Sequence, residues 1–205
     1  MPSHEKSIYY FAYGSNMSSK IFRYGFRQLR PTSAERAVLK GYSLTFTEPG
    51  IPFFEPAFAN VEVDSTAACE GVLYRITEKE MDDLDISEGG RAYNIISVEV
   101  DGAESGSTSA LTFQSRAVAH GLPPSKRYID ILIDGAEEHG LSEEWVTMLK
   151  NTQHVDRTHV LHLRQPVINT VRFFVRLGLP HPFRWWKKYH IKKTARRLHQ
   201  SNSSH

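Results

Sequence analysis

Six strand-like stretches follow one another between Ser7 and Arg116, with only two short helical stretches among them. The first, Ser7–Tyr13, is apolar and aromatic and ends at Gly14-Ser15-Asn16. It reads as a buried strand closed by a turn. Arg36–Thr47, Ala57–Val63, Ala68–Ile76, Tyr93–Val100 and Ser109–Arg116 follow. Pro49–Pro56 reads as a Pro/Gly/aromatic loop, and Gly102–Ser109 as a Gly/Ser turn. A run of strands of this kind has one apolar face to bury. With few helices available, the expected solution is an α+β fold: a small antiparallel or mixed β-barrel with helices packed outside it.

The helices carry their own punctuation. Ser18 or Ser19 caps a short helix over Ser19–Tyr24. Thr77 and Glu80 form a Thr-x-x-Glu capping box, and Met81 and Leu84 lie three apart on one face of the helix that follows. Gly89-Gly90 ends that helix. Later, Tyr128, Ile129, Leu132, Ile133 and Ala136 form the apolar stripe of a helix over Ser125–His139, with Gly140 as its C-cap. Ser142 caps a last helix, Glu143–Thr152.

Charge divides the chain unevenly. Of 25 basic residues, nine fall from Val171 onward, where there is no acid; residues 1–170 carry a net charge of −7. The expected division is a body over 1–169 and a basic aromatic extension over 170–205, with the last residues disordered. Within 171–199 the cations alternate with Phe173, Phe174, Phe183, Trp185, Trp186 and Tyr189, and Pro180 with Pro182 excludes one continuous helix. Packing on the acidic body, lying on a membrane surface, and contacting a macromolecular partner are competing readings of this segment. Nucleic acid is not the expected partner.

The single cysteine, Cys69, excludes an internal disulfide and a cysteine-based zinc site. No run of about 18 apolar residues is present, and Met1–Ser7 is polar, unlike the start of a signal peptide. A cytoplasmic location is expected. None of the ten histidines has a spacing such as HExxH; His154, His159 and His162 come nearest to a cluster.

Three segments can carry chemistry. A strand that stops at Gly14-Ser15-Asn16 exposes backbone N–H groups around a tight turn, because glycine allows left-handed or close-approach geometry. Such a turn is an anion or oxyanion site, or only a turn. Asp82, Asp83, Asp85 and Glu88 gather at a helix C-terminus, where acids oppose the helix dipole. Asp82 and Asp83 suit a solvated face. Glu88 stands beside the Gly-Gly break, where a chain reversal can turn a carboxylate inward for proton transfer. Tyr128, in the first turn of its helix, reads by itself as a core tyrosine.

In order, YFAYGSN, CEGVLYRIT, LDISEG and PSKRYIDILIDGAEEHGL resemble the γ-glutamylcyclotransferase family, the AIG2/BtrG-like cyclotransferase superfamily. The resemblance runs from about Ile8 to Leu149, and the spacing EGG-RAY with Pro-Ala-Phe-Ala-Asn upstream is most similar to the fungal branch, including members of the gliotoxin type. It implies a substrate loop at Tyr10, Phe11, Ala12, Tyr13, Gly14 and Ser15. It implies a general acid/base at Glu88 and substrate-contacting tyrosines at Tyr93 and Tyr128. Relatives specific for glutathione itself carry YGSL followed by Trp; this chain has YGSNM.

The implied reaction is cyclisation of a γ-glutamyl amide to 5-oxoproline, with release of the amine. It needs no metal and no cofactor. The implied partner is a small γ-glutamyl compound, including a glutathione-derived conjugate of secondary metabolism. A γ-glutamylamine substrate, and a non-catalytic binding module of the same fold, are the alternatives.

Overall fold

The computed structural model describes residues 6–23, 29–51, 53–88 and 92–160, together with Pro166 and Asn169. Five strands form a closed barrel in the order β1-β3-β2-β4-β5, where β1 is Ser7–Ala12, β2 Ser33–Ile51, β3 Glu55–Thr77, β4 Tyr93–Gly102 and β5 Gly106–Ser115. β1 runs antiparallel to β3, with Tyr10 opposite Tyr74 and Ala12 opposite Val72. β4 and β5 form an antiparallel hairpin from Tyr93↔Ser115 to Gly102↔Gly106. The β1–β5 seam is parallel and joins at Tyr10↔Leu111. The expected mixed barrel is therefore the fold, and among the described residues four α-helices are delimited: α1 Ser19–Arg23, α2 Glu78–Ser87, α3 Lys126–Glu138 and α4 Glu143–Asn151.

Two expected boundaries are corrected. Ala57–Val63 and Ala68–Ile76 are one continuous strand, β3. The polar step between them is a local feature inside it: Asp64 accepts hydrogen bonds from the Thr66 amide and hydroxyl at 3.0 and 2.7 Å. Pro49–Pro56 is mostly strand as well, because β2 extends to Ile51 and β3 starts at Glu55. Proline withholds a donor but its fixed φ is compatible with extended backbone. Gly89-Gly90, His162 and the 170–205 extension lie outside the described residues.

The chain divides into two units. One comprises residues 1–45, 59–116 and 129–152; the other comprises 46–58, 117–128 and 153–205. In the first, Phe11, Leu73, Val98, Val100 and Phe113 of the strands are buried, as are Met81 and Leu84 of α2 and Leu132 and Ala136 of α3. Each fully buried aliphatic or aromatic side chain contributes about 1.5–3 kcal/mol of transfer free energy.

α2 starts where the capping box places it. The Thr77 hydroxyl accepts from the Glu80 amide at 3.2 Å, and the Glu80 carboxylate accepts from the Thr77 amide at 2.9 Å. Thr77→Ala removes one half of this exchange, with an expected loss of about 1 kcal/mol. For a chain of this size that lowers Tm by about 2–4 °C, which a thermal melt followed by circular dichroism measures. α3 ends at a left-handed Gly140 with φ 64°, as expected of its C-cap. Ser142 caps α4 by accepting from the Trp145 amide at 3.0 Å.

Candidate active site

β1 delivers Tyr13 and Gly14 to a 3₁₀ turn, Ser15–Met17, closed by Met17 N–H to Gly14 O at 3.0 Å and Ser18 N–H to Ser15 O at 3.2 Å. Gly14 has φ −115°, so the left-handed conformation that glycine offers is not the one used here. The amides of Gly14 and Ser15 have no protein acceptor among the described residues. Two adjacent backbone donors are thus left for another acceptor, as an anion or oxyanion site requires.

Glu88 is the C-cap of α2, with φ −79° and ψ 1°; its amide bonds back to Leu84 O at 2.9 Å. Its carboxylate comes to the turn after β1, where it accepts from Asn16 Nδ2 at 3.1 Å. The same nitrogen donates to the Tyr10 hydroxyl at 2.8 Å. The fold therefore brings together Tyr10 on the first strand, Asn16 on the turn and Glu88 from the end of the acidic Asp82–Glu88 group. Asp82 and Asp83 are exposed, as their reading as a solvated face requires.

An aromatic cluster backs this group. Tyr10 stacks near Phe22 at 6.3 Å and 3° and meets the edge of Phe113 at 5.7 Å. Tyr74 stacks on Phe22 at 4.4 Å. Tyr93 packs edge-on against Phe113, 5.9 Å between ring centroids. Tyr13 donates a short hydrogen bond to the Phe113 carbonyl. Phe11 and Ala12 are wholly buried, and the Phe11 carbonyl accepts from the Thr112 hydroxyl at 2.8 Å. Of the residues expected at the site, Tyr10 and Glu88 are linked through Asn16, Tyr10, Tyr13 and Tyr93 all contact Phe113, and Gly14 and Ser15 lie on the adjoining turn.

The sequence reading missed four residues: Asn16, Phe22, Tyr74 and His139. The Tyr74 hydroxyl donates to the Met17 carbonyl at 2.9 Å and lies 3.2 Å from His139 Nε2. With its hydrogen spent on Met17, Tyr74 must accept from an Nε2–H of His139. An available signal for Asn16 was its place inside the YGSN motif, next to an apolar run. Nothing local marks Phe22, Tyr74 or His139.

Tyr128 belongs to the second unit. It is buried there, edge-on to Phe58 at 5.2 Å and to Phe46 at 6.5 Å. In the same unit the buried Glu55 accepts from the Ser125 hydroxyl and from Arg127 Nη1 at 2.6 Å. Phe54 is buried and Phe53 exposed.

Two features are set aside as chemistry. Cys69 is fully buried, and burial pushes its thiol well above the usual range, so it supplies no thiolate. An open cavity of about 600 Å3 lies beside the start of β1 and α2, where Tyr9, Met81 and Ile95 line it; Glu88 and Asn16 do not. Its ion pair, Lys6–Glu78 at 2.9 Å, is solvent-exposed. No helix among the described residues is long and apolar enough to cross a membrane.

Residues 68–149 match the AIG2-like family. The chain is 30% identical to a γ-glutamyl cyclotransferase, aclK, of Aspergillus oryzae, over 73% of this chain and 63% of that protein. It is 28% identical to a γ-glutamyl cyclotransferase, gliK, of Claviceps purpurea, over 56% and 57%. The chain thus spans about three fifths of the length of these curated relatives. Its fold is similar to a solved γ-glutamyl cyclotransferase with a TM-score of 0.63 at 25% identity, covering 73% of this chain and 89% of that one. In sequence over residues 68–149 the chain is similar to the AIG2-like family, and the barrel that carries Tyr10, Asn16 and Glu88 has the γ-glutamylcyclotransferase fold.

Proposed function

We propose that this chain converts a γ-glutamyl amide to 5-oxoproline and a free amine, with Glu88 as the acid/base. The observation that carries this reading is the 3.1 Å bond from Asn16 Nδ2 to Glu88, which brings a carboxylate to the turn whose Gly14 and Ser15 amides have no acceptor among the described residues. The similarity to γ-glutamyl cyclotransferases supports the same chemistry.

In this scheme the substrate's own α-amine attacks its γ-carbonyl carbon, and a five-membered ring forms. Intramolecular attack is favoured by proximity, worth up to about 7–11 kcal/mol in well-oriented cases. Glu88 takes a proton from the α-ammonium group before or during attack. It delivers that proton to the departing nitrogen as the amide C–N bond breaks, and the second proton shed by the ring nitrogen passes through Glu88 to the released amine, which leaves as an ammonium. The Gly14 and Ser15 amides hold the oxyanion that develops on the γ-carbonyl oxygen; one such donor is typically worth about 2.7–4 kcal/mol. Tyr10, Tyr13 and Tyr93 are proposed to shape the substrate site. No metal or redox cofactor enters the scheme, because nucleophile and leaving group both belong to the substrate.

The proposed substrate class includes glutathione-derived γ-glutamyl conjugates, and the proposed location is the cytoplasm, where the lone Cys69 stays reduced. A panel of γ-glutamyl amino acids, γ-glutamylamines, glutathione and glutathione S-conjugates, scored for 5-oxoproline, tests the reading. At least one member with a free α-amine is expected to yield 5-oxoproline, and its N-acetylated counterpart none. A panel without any 5-oxoproline would leave the binding-module alternative in its place.

A further inference from the structure

We propose that Asn16 is the positioning residue for Glu88, and that the Tyr10 hydroxyl locks the Asn16 amide in the orientation that does so. The proposal rests on the cyclisation reading above and assigns a role within the same site.

Asn16 is 6% exposed, and a buried amide requires partners. Its Nδ2 carries two hydrogens. One is directed to Tyr10 Oη at 2.8 Å, the other to Glu88 Oε1 at 3.1 Å. An ionised carboxylate only accepts, so the nitrogen of the amide must face Glu88. Because that same nitrogen meets Tyr10, the phenol oxygen accepts in this contact. Tyr10 cannot easily swing away: it is 3% exposed and packed between Phe22 and Phe113. The Asn16 backbone is held by the 3₁₀ turn, and the next carbonyl, Met17 O, is held by Tyr74. A rigid donor therefore addresses a carboxylate that ends a helix and has three rotatable side-chain bonds.

The donor's neutrality suits the chemistry. Glu88 must alternate between carboxylate and carboxylic acid within one turnover. A cationic donor would favour the carboxylate strongly over the acid and so oppose proton uptake. A neutral amide donates to an oxygen of either form. Asn16 can therefore keep Glu88 in place through both proton transfers without itself titrating.

The test has two arms. In the first, kcat and KM for 5-oxoproline release are measured for Tyr10→Phe, Asn16→Ala and the double variant. Asn16→Ala is expected to lower kcat by roughly 10- to 100-fold, as loss of a hydrogen bond to a charged group does, with KM within about threefold. Tyr10→Phe is expected to lower kcat by about fivefold alone and by less than about twofold when added to Asn16→Ala. Equal Tyr10→Phe factors in both backgrounds, or losses confined to KM, overturn the proposal. If Asn16→Ala does not fold, the isosteric Tyr10→Phe decides, and an unchanged kcat overturns it.

The second arm needs no substrate. Thermal stabilities of Asn16→Ala, Glu88→Ala and their double variant are compared, and the effects are expected to be non-additive. Additive effects sink the Asn16–Glu88 link. A wild-type protein that releases no 5-oxoproline sinks the cyclisation reading instead, so the two failures are distinguishable.

Discussion

Glu88→Gln is expected to lower kcat for 5-oxoproline release by roughly 10²–10⁴-fold, the range that a positioned acid/base contributes. The substitution is a narrow one. A glutamine at this position keeps a carbonyl oxygen that can accept from Asn16 Nδ2, the bond that places the side chain at 3.1 Å. It keeps the volume and the C-cap backbone of α2. It removes the ability to take a proton from the α-ammonium group and give one to the leaving amine. The loss should therefore appear in kcat, with Tm close to that of the wild type. A loss under about tenfold, which corresponds to about 1.4 kcal/mol, would remove Glu88 from proton transfer. The turn with the Gly14 and Ser15 amides would then stand as a binding element only.

Gly135→Ala is the second large effect, and its sign is the informative part. Within a helix, alanine is favoured over glycine by about 1 kcal/mol, so a Gly→Ala change in open space stabilises. Gly135 lies on α3 where a Cβ would stand 2.7 Å from the Ser18 amide nitrogen and 2.8 Å from both C and Cβ of Met17. Those distances are well inside the roughly 3.5–4.0 Å of an optimal carbon contact. Backbone, not a flexible side chain, meets the added methyl at two of the three points. The helix or the turn must move, and overpacking of this kind typically costs about 1–3 kcal/mol. At about 2–4 °C per kcal/mol, Tm should fall despite the better helix former.

Activity should fall too, because the residues pressed are the two that follow Asn16. A displacement of about 1 Å at a reacting group can reduce rate by about 10²-fold. Gly106→Ala is the control. Gly106 has φ +69° with nothing near its would-be Cβ, so the variant is strained in the β4–β5 hairpin without pressing on the site. It should lower stability while leaving kcat per folded molecule unchanged. A Gly135→Ala protein that melts higher than the wild type would show that α3 does not press on the turn.

Much of the local structure was legible in the chain. The Thr77–Glu80 box, the Ser142 cap and the Gly140 stop act over three or four residues, and each is where the residues announce it. The alternation of Tyr93–Val100 and the aromatic run before Gly14 became β4 and β1. The strand limits were less legible. Asp64-Ser65-Thr66 carries a turn-like hydrogen bond pattern, and Pro49-Gly50 carries turn composition, yet both lie inside long strands. Local preference at those points is weaker than the pairing supplied by neighbouring strands in a closed barrel.

The chain's own residues determined that a carboxylate would stand at the end of α2 and that β1 would stop at Gly-Ser-Asn, because turns, caps and apolar spacing are short-range. Only the tertiary structure decided that these two places meet. Asn16 and Glu88 are 72 residues apart, and their bond depends on α2, β1 and the turn being held in one frame. The same holds for Tyr74 on Met17 and for α3 against the turn at Gly135. Such contacts arise from how the barrel closes and what packs on it, which no local pattern encodes.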